Sequence, residues 1–314
     1  MKATVLLVTY NHAPYIGQAL ESVLGQVADF PWEILISEDC STDGTRAIVE
    51  EYARRHPERI RLLLSERNRN DNEVIARGLR AAKGAVIAYL DGDDWWTVPH
   101  KLATQVRFLE QNPACVMCYH SVLRIHEDGS QAPRPSLSPG PRPPMGLEDV
   151  LARYHINSCS VAFRRSAIPE LPDWYYSADL ADWALSVLLS TRGTVGYVDE
   201  VMAAYRIHAR GVWSGVTHRQ RIEARLAFFD RLGADFRRHH AGAIRSGRAQ
   251  AHLDLALAWE AEGRSLQAAS HALRSLWERP GGRFVSPAAR LRVLARLALP
   301  RLRRRRVAQA APGT

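Results

Sequence analysis

Long apolar runs are missing from this chain of 314 residues. The most extended ones, around Thr4 to Val8 and Ala85 to Leu90, fall far short of the roughly 20 residues that cross a bilayer, which excludes a transmembrane helix. Only Lys2 precedes the first of them, and it reaches Asn11 and His12 too soon for a secretory h-region, so a cytoplasmic protein is expected. Cysteine is scarce as well. Cys40, Cys115, Cys118 and Cys159 are too few for a disulfide scaffold at this length. Cys115 and Cys118 have redox or zinc spacing, but no second pair follows and their neighbours read as a buried strand, which favours a structural role. Also lacking are a Gly-x-Gly-x-x-Gly after the first strand and any Gly-x-x-x-x-Gly-Lys-Ser/Thr, which argues against dinucleotide redox chemistry and P-loop hydrolysis.

With 46% hydrophobic and 24% charged side chains, what is present is an ordinary globular composition. Charge divides it. Residues 1–215 carry a net −4 and residues 216–314 a net +13, so a polyanionic partner, if there is one, belongs to the C-terminal region.

The first half alternates strand and helix. Val5 to Val8 is a strand ending in Thr9, Tyr10 and Asn11, and Ile16, Leu20, Val23 and Leu24 recur at helical spacing after it. Trp32 to Ile36 is a second strand, Ser41 can cap a helix over 42–55, and Ile60 to Leu64 is a third strand. A helix over Glu73 to Ala82 is stopped by Lys83 and Gly84, and Ala85 to Leu90 runs into Asp91, Gly92, Asp93 and Asp94. This order predicts an α/β fold with a mostly parallel sheet sandwiched by helices and a ligand site at the carboxyl ends of the strands. Five carboxylates, Glu38, Asp39, Asp91, Asp93 and Asp94, gather at those ends, and a divalent cation would offset their repulsion. Asp91 and Asp93 alternate onto one side of an extended chain, although such a run also makes a good polar turn.

Five motifs together, Val8 to Asn11, Glu38 to Thr45, Ala76 to Leu79, Leu90 to Asp94 and Pro99 to Leu102, resemble a family-2 glycosyltransferase. The resemblance extends over about residues 1–215 through Asp182-Trp183 and the run Tyr197 to His208, with Glu38 and Cys40 in place of the usual Asp and Gly. It implies a GT-A fold, a nucleotide-binding half over 1–112 and an acceptor-side half over 113–215. It also implies Mn²⁺ or Mg²⁺ as cofactor, a nucleotide-sugar donor (UDP-sugar foremost) and inversion. Carried over, Thr9, Tyr10, Asn11, Glu38, Asp39, Arg77 and Asp91 contact the nucleotide, Asp93 and His208 hold the metal, and Asp182 is the general base. Asp94, Asp179, Arg206 and Trp95 are further candidates, Asp179 as the rival base. The acceptor would be a glycan, a lipid-linked saccharide or a small molecule. The rival readings are a non-catalytic nucleotide-sugar sensor or scaffold and a nucleotidyltransferase.

The segment 132–145 holds six prolines, which predicts irregular structure serving as a lid, an acceptor-side loop or a plain connection. From Arg219 onward the pattern is helical and basic. Ala249 to Ala261 and Ser265 to Trp277 read as a helical hairpin, and a last helix starts at Ser286-Pro287 with Leu291, Leu294, Leu297 and Ala298 on one face. Arg301, Arg303, Arg304, Arg305 and Arg306 follow. A leucine stripe beside arginines fits an anionic membrane surface and gives nothing to nucleic acid, so peripheral membrane association and no nucleic-acid partner are expected.

Overall fold

The computed structural model describes residues 1–152, 156–211, 216–278 and 287–298. The basic run from Arg301 to Arg306 lies outside them. The chain divides into two compact units, one of Met1–Val150 with Tyr154–Gly215, the other of Leu151–Arg153 with Val216–Thr314.

In the first unit the order is β1 (Ala3–Thr9), α1 (Ile16–Leu24), β2 (Trp32–Glu38), α2 (Thr45–Arg55), β3 (Ile60–Leu64), α3 (Glu73–Ala81), β4 (Val86–Asp91), β5 (Trp95–Trp96), α4 (Lys101–Gln111), β6 (Cys115–His126), β7 (Arg134–Pro135), α5 (Leu147–Ala152), β8 (Ala162–Arg164), α6 (Asp173–Tyr176), α7 (Ala181–Ser190) and β9 (Thr194–Ile207). Among the described residues they form one sheet in the order β3-β2-β1-β4-β8-β6-β9-β5, with β7 on β6. β3, β2, β1 and β4 are parallel, as the strand and helix alternation predicts. Beyond β4 the sheet is mixed: β8 is antiparallel to β4 and β6, β9 is parallel to β6, and β5 is antiparallel to β9.

β1 and β2, and β4 up to Asp91, are buried along their length because helices cover them, while the margin strand β3 is buried only at Ile60. Ile16, Ala19, Leu20 and Val23 of α1 are all buried, and each large aliphatic side chain so covered stabilises by about 1.5–3 kcal/mol. Register sets the site, because Thr9 stands beside Glu38 and Val8 beside Asp91, which brings the carboxyl ends of β1, β2 and β4 level. Gly84 does more than stop a helix. A Cβ there would lie 2.3 Å from the backbone of Ala3 and Thr4, so only glycine lets α3 return to the sheet this closely. Cys115 and Cys118 are buried, free thiols on β6.

Two local expectations are corrected. Ser41 does not cap α2, which begins at Thr45. Asp43 Oδ1 accepts from the Thr45 amide at 3.1 Å, while the Ser41 hydroxyl accepts from the Asn11 amide at 2.9 Å. The proline-rich segment is not wholly irregular either. Arg134 and Pro135 pair with Arg124 and Leu123 at the sheet margin, where a missing N–H costs nothing, and Met145 bridges Val195.

The second unit contains α8 (His218–Arg231), α9 (Ala234–His239), α10 (Ala241–Ala261), α11 (Ser265–Glu278) and α12 (Pro287–Ala298). The hairpin expected from the sequence is present as α10 and α11, turned at Gly263 with φ 75°. α10 starts about two turns earlier than its apolar pattern, and Gly247 within those turns leaves room for Phe229. The leucine stripe expected on the last helix is split, with Leu291 exposed while Leu294 packs against the cluster of Ala249, Leu253, Ala256, Ala272 and Val293.

Lys101, fully buried at the start of α4, donates to Gln105 Oε1 at 2.6 Å and lies 4.0 Å over the Trp96 ring. Burial pulls its pKa from 10.5 to about 7. Between those values the unfolded chain holds a proton that the folded chain has released, so this residue makes stability rise with pH. Lys101→Met should flatten that rise. Urea midpoints measured across this window for both proteins test it, and parallel slopes would show that the lysine is not desolvated.

Candidate active site at the carboxyl edge of the sheet

Two turns build the floor of the site. Asn11, after β1, and Cys40, after β2, both have left-handed backbones, with φ 54° and 59°. They are stitched together. The Thr42 amide donates to Asn11 Oδ1 at 2.8 Å, the His12 amide to Thr45 Oγ1 at 2.8 Å, and the Ala13 amide to Asp43 Oδ2 at 3.0 Å. Thr9 is buried above this floor, and Tyr10 stands out from it at 41% exposure.

The five carboxylates do not share one face. Glu38, expected among the nucleotide contacts, is fully buried and turned inward, where Arg46 Nε donates to it at 2.7 Å and the Ser41 amide donates to its other oxygen. Arg77 is turned the same way, donating to Ser37 Oγ at 2.9 Å and the Glu38 carbonyl at 2.8 Å, and also to Ser65 Oγ. Both therefore hold the ends of β2 and β3 in place instead of facing a ligand. Asp39 accepts from Ser65 Oγ at 3.0 Å, and burial raises its pKa against the pull of that bond and of Arg77. Asp94 is also internal. It accepts from the Arg206 amide at 2.8 Å, and burial together with the charges of Asp93 and Asp91 lifts its pKa well above the usual range.

Asp91 and Asp93 remain. Asp91 accepts from Ser158 Oγ at 2.6 Å and Tyr89 Oη at 3.0 Å, yet burial and then the Asp93 charge push its pKa up to about 7. Asp93 behaves oppositely. Burial alone would raise it, but His208 at 3.1 Å and His12 at 3.7 Å hold it below the usual carboxylate range. The turn between them requires Gly92, where a Cβ would lie 2.6 Å from Thr9 Oγ1 and 2.9 Å from His12 Nδ1.

Pairing of Trp95 with Ala204 and Trp96 with Ala203 carries the end of β9 over this turn. The Arg206 guanidinium is sandwiched 4.6 Å from the Tyr15 ring and 4.5 Å from the Trp95 ring, and its Nε donates to the Asp93 carbonyl at 2.9 Å. His208 rests against Tyr15 with ring centroids 4.6 Å apart. Across the site, Asp182 in the first turn of α7 lines a narrow cavity of about 20 Å³ together with Tyr89 and Ser158, and its charge reaches Asp91. Asp179 is exposed outside that cavity. Trp96 and Tyr175 are buried in the core.

Among the described residues, no three His, Cys, Asp or Glu side chains are gathered tightly enough to hold an ion unaided. Asp93 with His208 offers one carboxylate oxygen and one imidazole nitrogen. That donor set suits a cation that takes its other ligands from water and phosphate oxygens. His12, Ser158 and Tyr15 escaped the sequence reading. His12 directly follows the Thr9-Tyr10-Asn11 motif, which is the one signal that could have found it.

A parallel sheet edge of this kind, with an acidic turn and a further carboxylate on a separate helix, is that of a GT-A fold. The chain belongs to glycosyl transferase family 2, whose model matches residues 4–171. An uncharacterised protein of Mycobacterium tuberculosis is 36% identical over 221 residues, which is 70% of this chain and 63% of that protein. TuaG of Bacillus subtilis, described as a teichuronic acid biosynthesis glycosyltransferase, is 30% identical over 207 residues, covering 65% of this chain and 78% of its own length. The chain thus spans less than two thirds of the mycobacterial relative. Among solved structures, Staphylococcus aureus TarS 1-349 in complex with UDP-GlcNAc superposes with a TM-score of 0.56 at 15% identity, covering 90% of this chain and 93% of that one. The Pyrobaculum calidifontis mannosyltransferase PcManGT in complex with GDP-Man and Mn²⁺ gives 0.59 at 20% identity, with 95% and 80% covered.

Cys40 occupies a left-handed position where related motifs place glycine, and this costs about 1 kcal/mol. Cys40→Gly should raise stability by about that amount, measured as a shift in the urea midpoint. A loss of stability would show that the Cys40 thiol contact with the Glu66 carbonyl, at 3.4 Å, outweighs the strain.

Proposed function

We propose that this chain is a metal-dependent inverting glycosyltransferase that moves a sugar from a nucleotide-sugar, a UDP-sugar foremost, to a hydroxyl of a glycan, lipid-linked saccharide or small-molecule acceptor. The observation that carries the reading is the placement of two carboxyl groups at one sheet edge, Asp93 paired with His208 and Asp182 on a separate helix, where its charge reaches Asp91. TarS with UDP-GlcNAc and PcManGT with GDP-Man support the donor class, and the Mn²⁺ in PcManGT supports the metal. TuaG, described as a teichuronic acid biosynthesis glycosyltransferase, supports a place in polysaccharide assembly.

In this reading Thr9, Tyr10, Asn11 and Asp39 receive the base, and Asp91 faces the ribose. Glu38 and Arg77 contribute from behind by fixing the β2 and β3 ends. Asp93 and His208 would hold the divalent ion, which when bound stabilises charge on the departing diphosphate. Arg206, clamped between Tyr15 and Trp95, keeps the Asp93 turn rigid for that task. Asp182 takes the proton from the attacking hydroxyl, on the face of the sugar opposite the leaving group. Displacement in a single step then inverts the anomeric centre.

The experiment is release of nucleoside diphosphate from a panel of UDP-, GDP- and dTDP-sugars with Mn²⁺. Asp93→Ala should lose both turnover and the Mn²⁺-dependent thermal shift. Asp182→Asn should keep donor binding and lose transfer by about 10²–10⁴-fold. Full turnover by the Asp182 variant would remove it as the base, and tight donor binding without any release by the native protein would favour a sensor.

A further inference from the structure

Five of the large hydrophobic side chains that this protein leaves exposed, Leu257, Leu266, Leu273, Trp277 and Leu291, fall in the second unit. Three of them share one helix. On α11, Leu266, Leu273 and Trp277 are spaced by seven and four residues, so at 100° per residue they fall within a narrow strip. Their exposures are 85%, 57% and 85%. The opposite side of the same helix is already used: Ala268, Ala272 and Ser275 are buried, and Ser275 Oγ donates to the Ala249 carbonyl of α10 at 2.6 Å. Small residues thus seat the helix and large ones face outward, the reverse of what an ordinary surface helix does.

Along the sequence, charge from this strip onward is almost wholly of one sign, and the acidic residues Glu223 and Glu262, near its N-terminal end, are both paired with Arg219. From Arg264 to the last residue the chain carries twelve arginines and a single acidic residue, Glu278. Glu278 is itself engaged, its carboxylate accepting from Arg248 Nε at 2.8 Å. Arg264 and Arg274 are exposed beside the strip. A second copy of this chain would bring arginines against arginines, and a nucleic acid would draw nothing from leucine and tryptophan. An anionic lipid surface satisfies both features, since apolar side chains enter the acyl boundary while guanidinium groups stay at the phosphates.

We infer that the outer face of α11 is a membrane-docking surface, with Leu266, Leu273 and Trp277 inserted at the headgroup boundary of an anionic bilayer. Trp277 suits that depth, where the amphipathic indole ring is favoured. This assignment moves the apolar contact away from the last helix, whose Leu294 is committed to the interior of its own unit. It is independent of the reaction performed by the first unit.

The test is sedimentation of the full chain with vesicles of phosphatidylcholine alone and of phosphatidylcholine containing about 30 mol % phosphatidylglycerol. The native protein should bind the anionic vesicles and leave the neutral ones. A variant combining Leu266→Ser, Leu273→Ser and Trp277→Ala, with its thermal midpoint unchanged, should bind about tenfold or more weakly. Quenching by brominated lipid should lose a component in Trp277→Phe. Equal binding by the triple variant would overturn the proposal in favour of charge alone. Absence of binding to anionic vesicles at low salt would overturn it too, as would a native dimer that the triple variant dissociates.

Discussion

The antiparallel pairing of Trp95 and Trp96 with Ala204 and Ala203 is the contact on which the site depends. β5 is only two residues long and follows the Asp91–Asp94 turn directly, whereas β9 arrives from the far margin of the sheet. Their pairing converts a polar turn into one wall of a cleft, because it delivers Arg206 to the Asp93 carbonyl and His208 to the Asp93 carboxylate. A one-residue slip would turn these side chains to the opposite face, and Asp93 would lose the imidazole that keeps it ionised. Asp94 guards the register by accepting from the Arg206 amide in a buried setting.

Charge around the edge is resolved by division of labour. Glu38 is neutralised by Arg46 behind the sheet, Asp39 is held near Ser65 and Arg77, and Asp94 is spent on the backbone of β9. Glu38 and Asp94 thereby serve the frame. Asp91 and Asp93 are separated in protonation by their surroundings, one raised by burial and the other lowered by imidazoles.

Much of this was legible in the residues. The alternation of apolar strands and helices through residue 91 gives the parallel strands, and the polar residues that end them give the edge where the site lies. Ser41 misled because any hydroxyl before a helix reads as a cap, while its actual partner, the Asn11 amide, is thirty residues away in sequence and visible only after folding. The inward turn of Glu38 and Arg77 was hidden for the same reason, since an ion pair with Arg46 leaves no periodicity. His12 and Ser158 carry no motif of their own and become meaningful only through what they approach, Asp93 and Asp91. The mixed strand directions beyond β4 were not legible either, because short strands such as β8 gain their pairing from both neighbours at once.

The segment rich in proline is fastened at β7 against β6, where the Leu137 amide also donates to Ser121 Oγ at 3.1 Å, at Gly140, whose amide donates to Asp199 at 2.9 Å, and at Met145 against Val195. The stretch from Ser138 to Pro144 is therefore a loop held at both ends and once, at Gly140, between them. Its backbone ends are set by the strands, so a change of residues within it alters the surface of the loop before it alters the sheet.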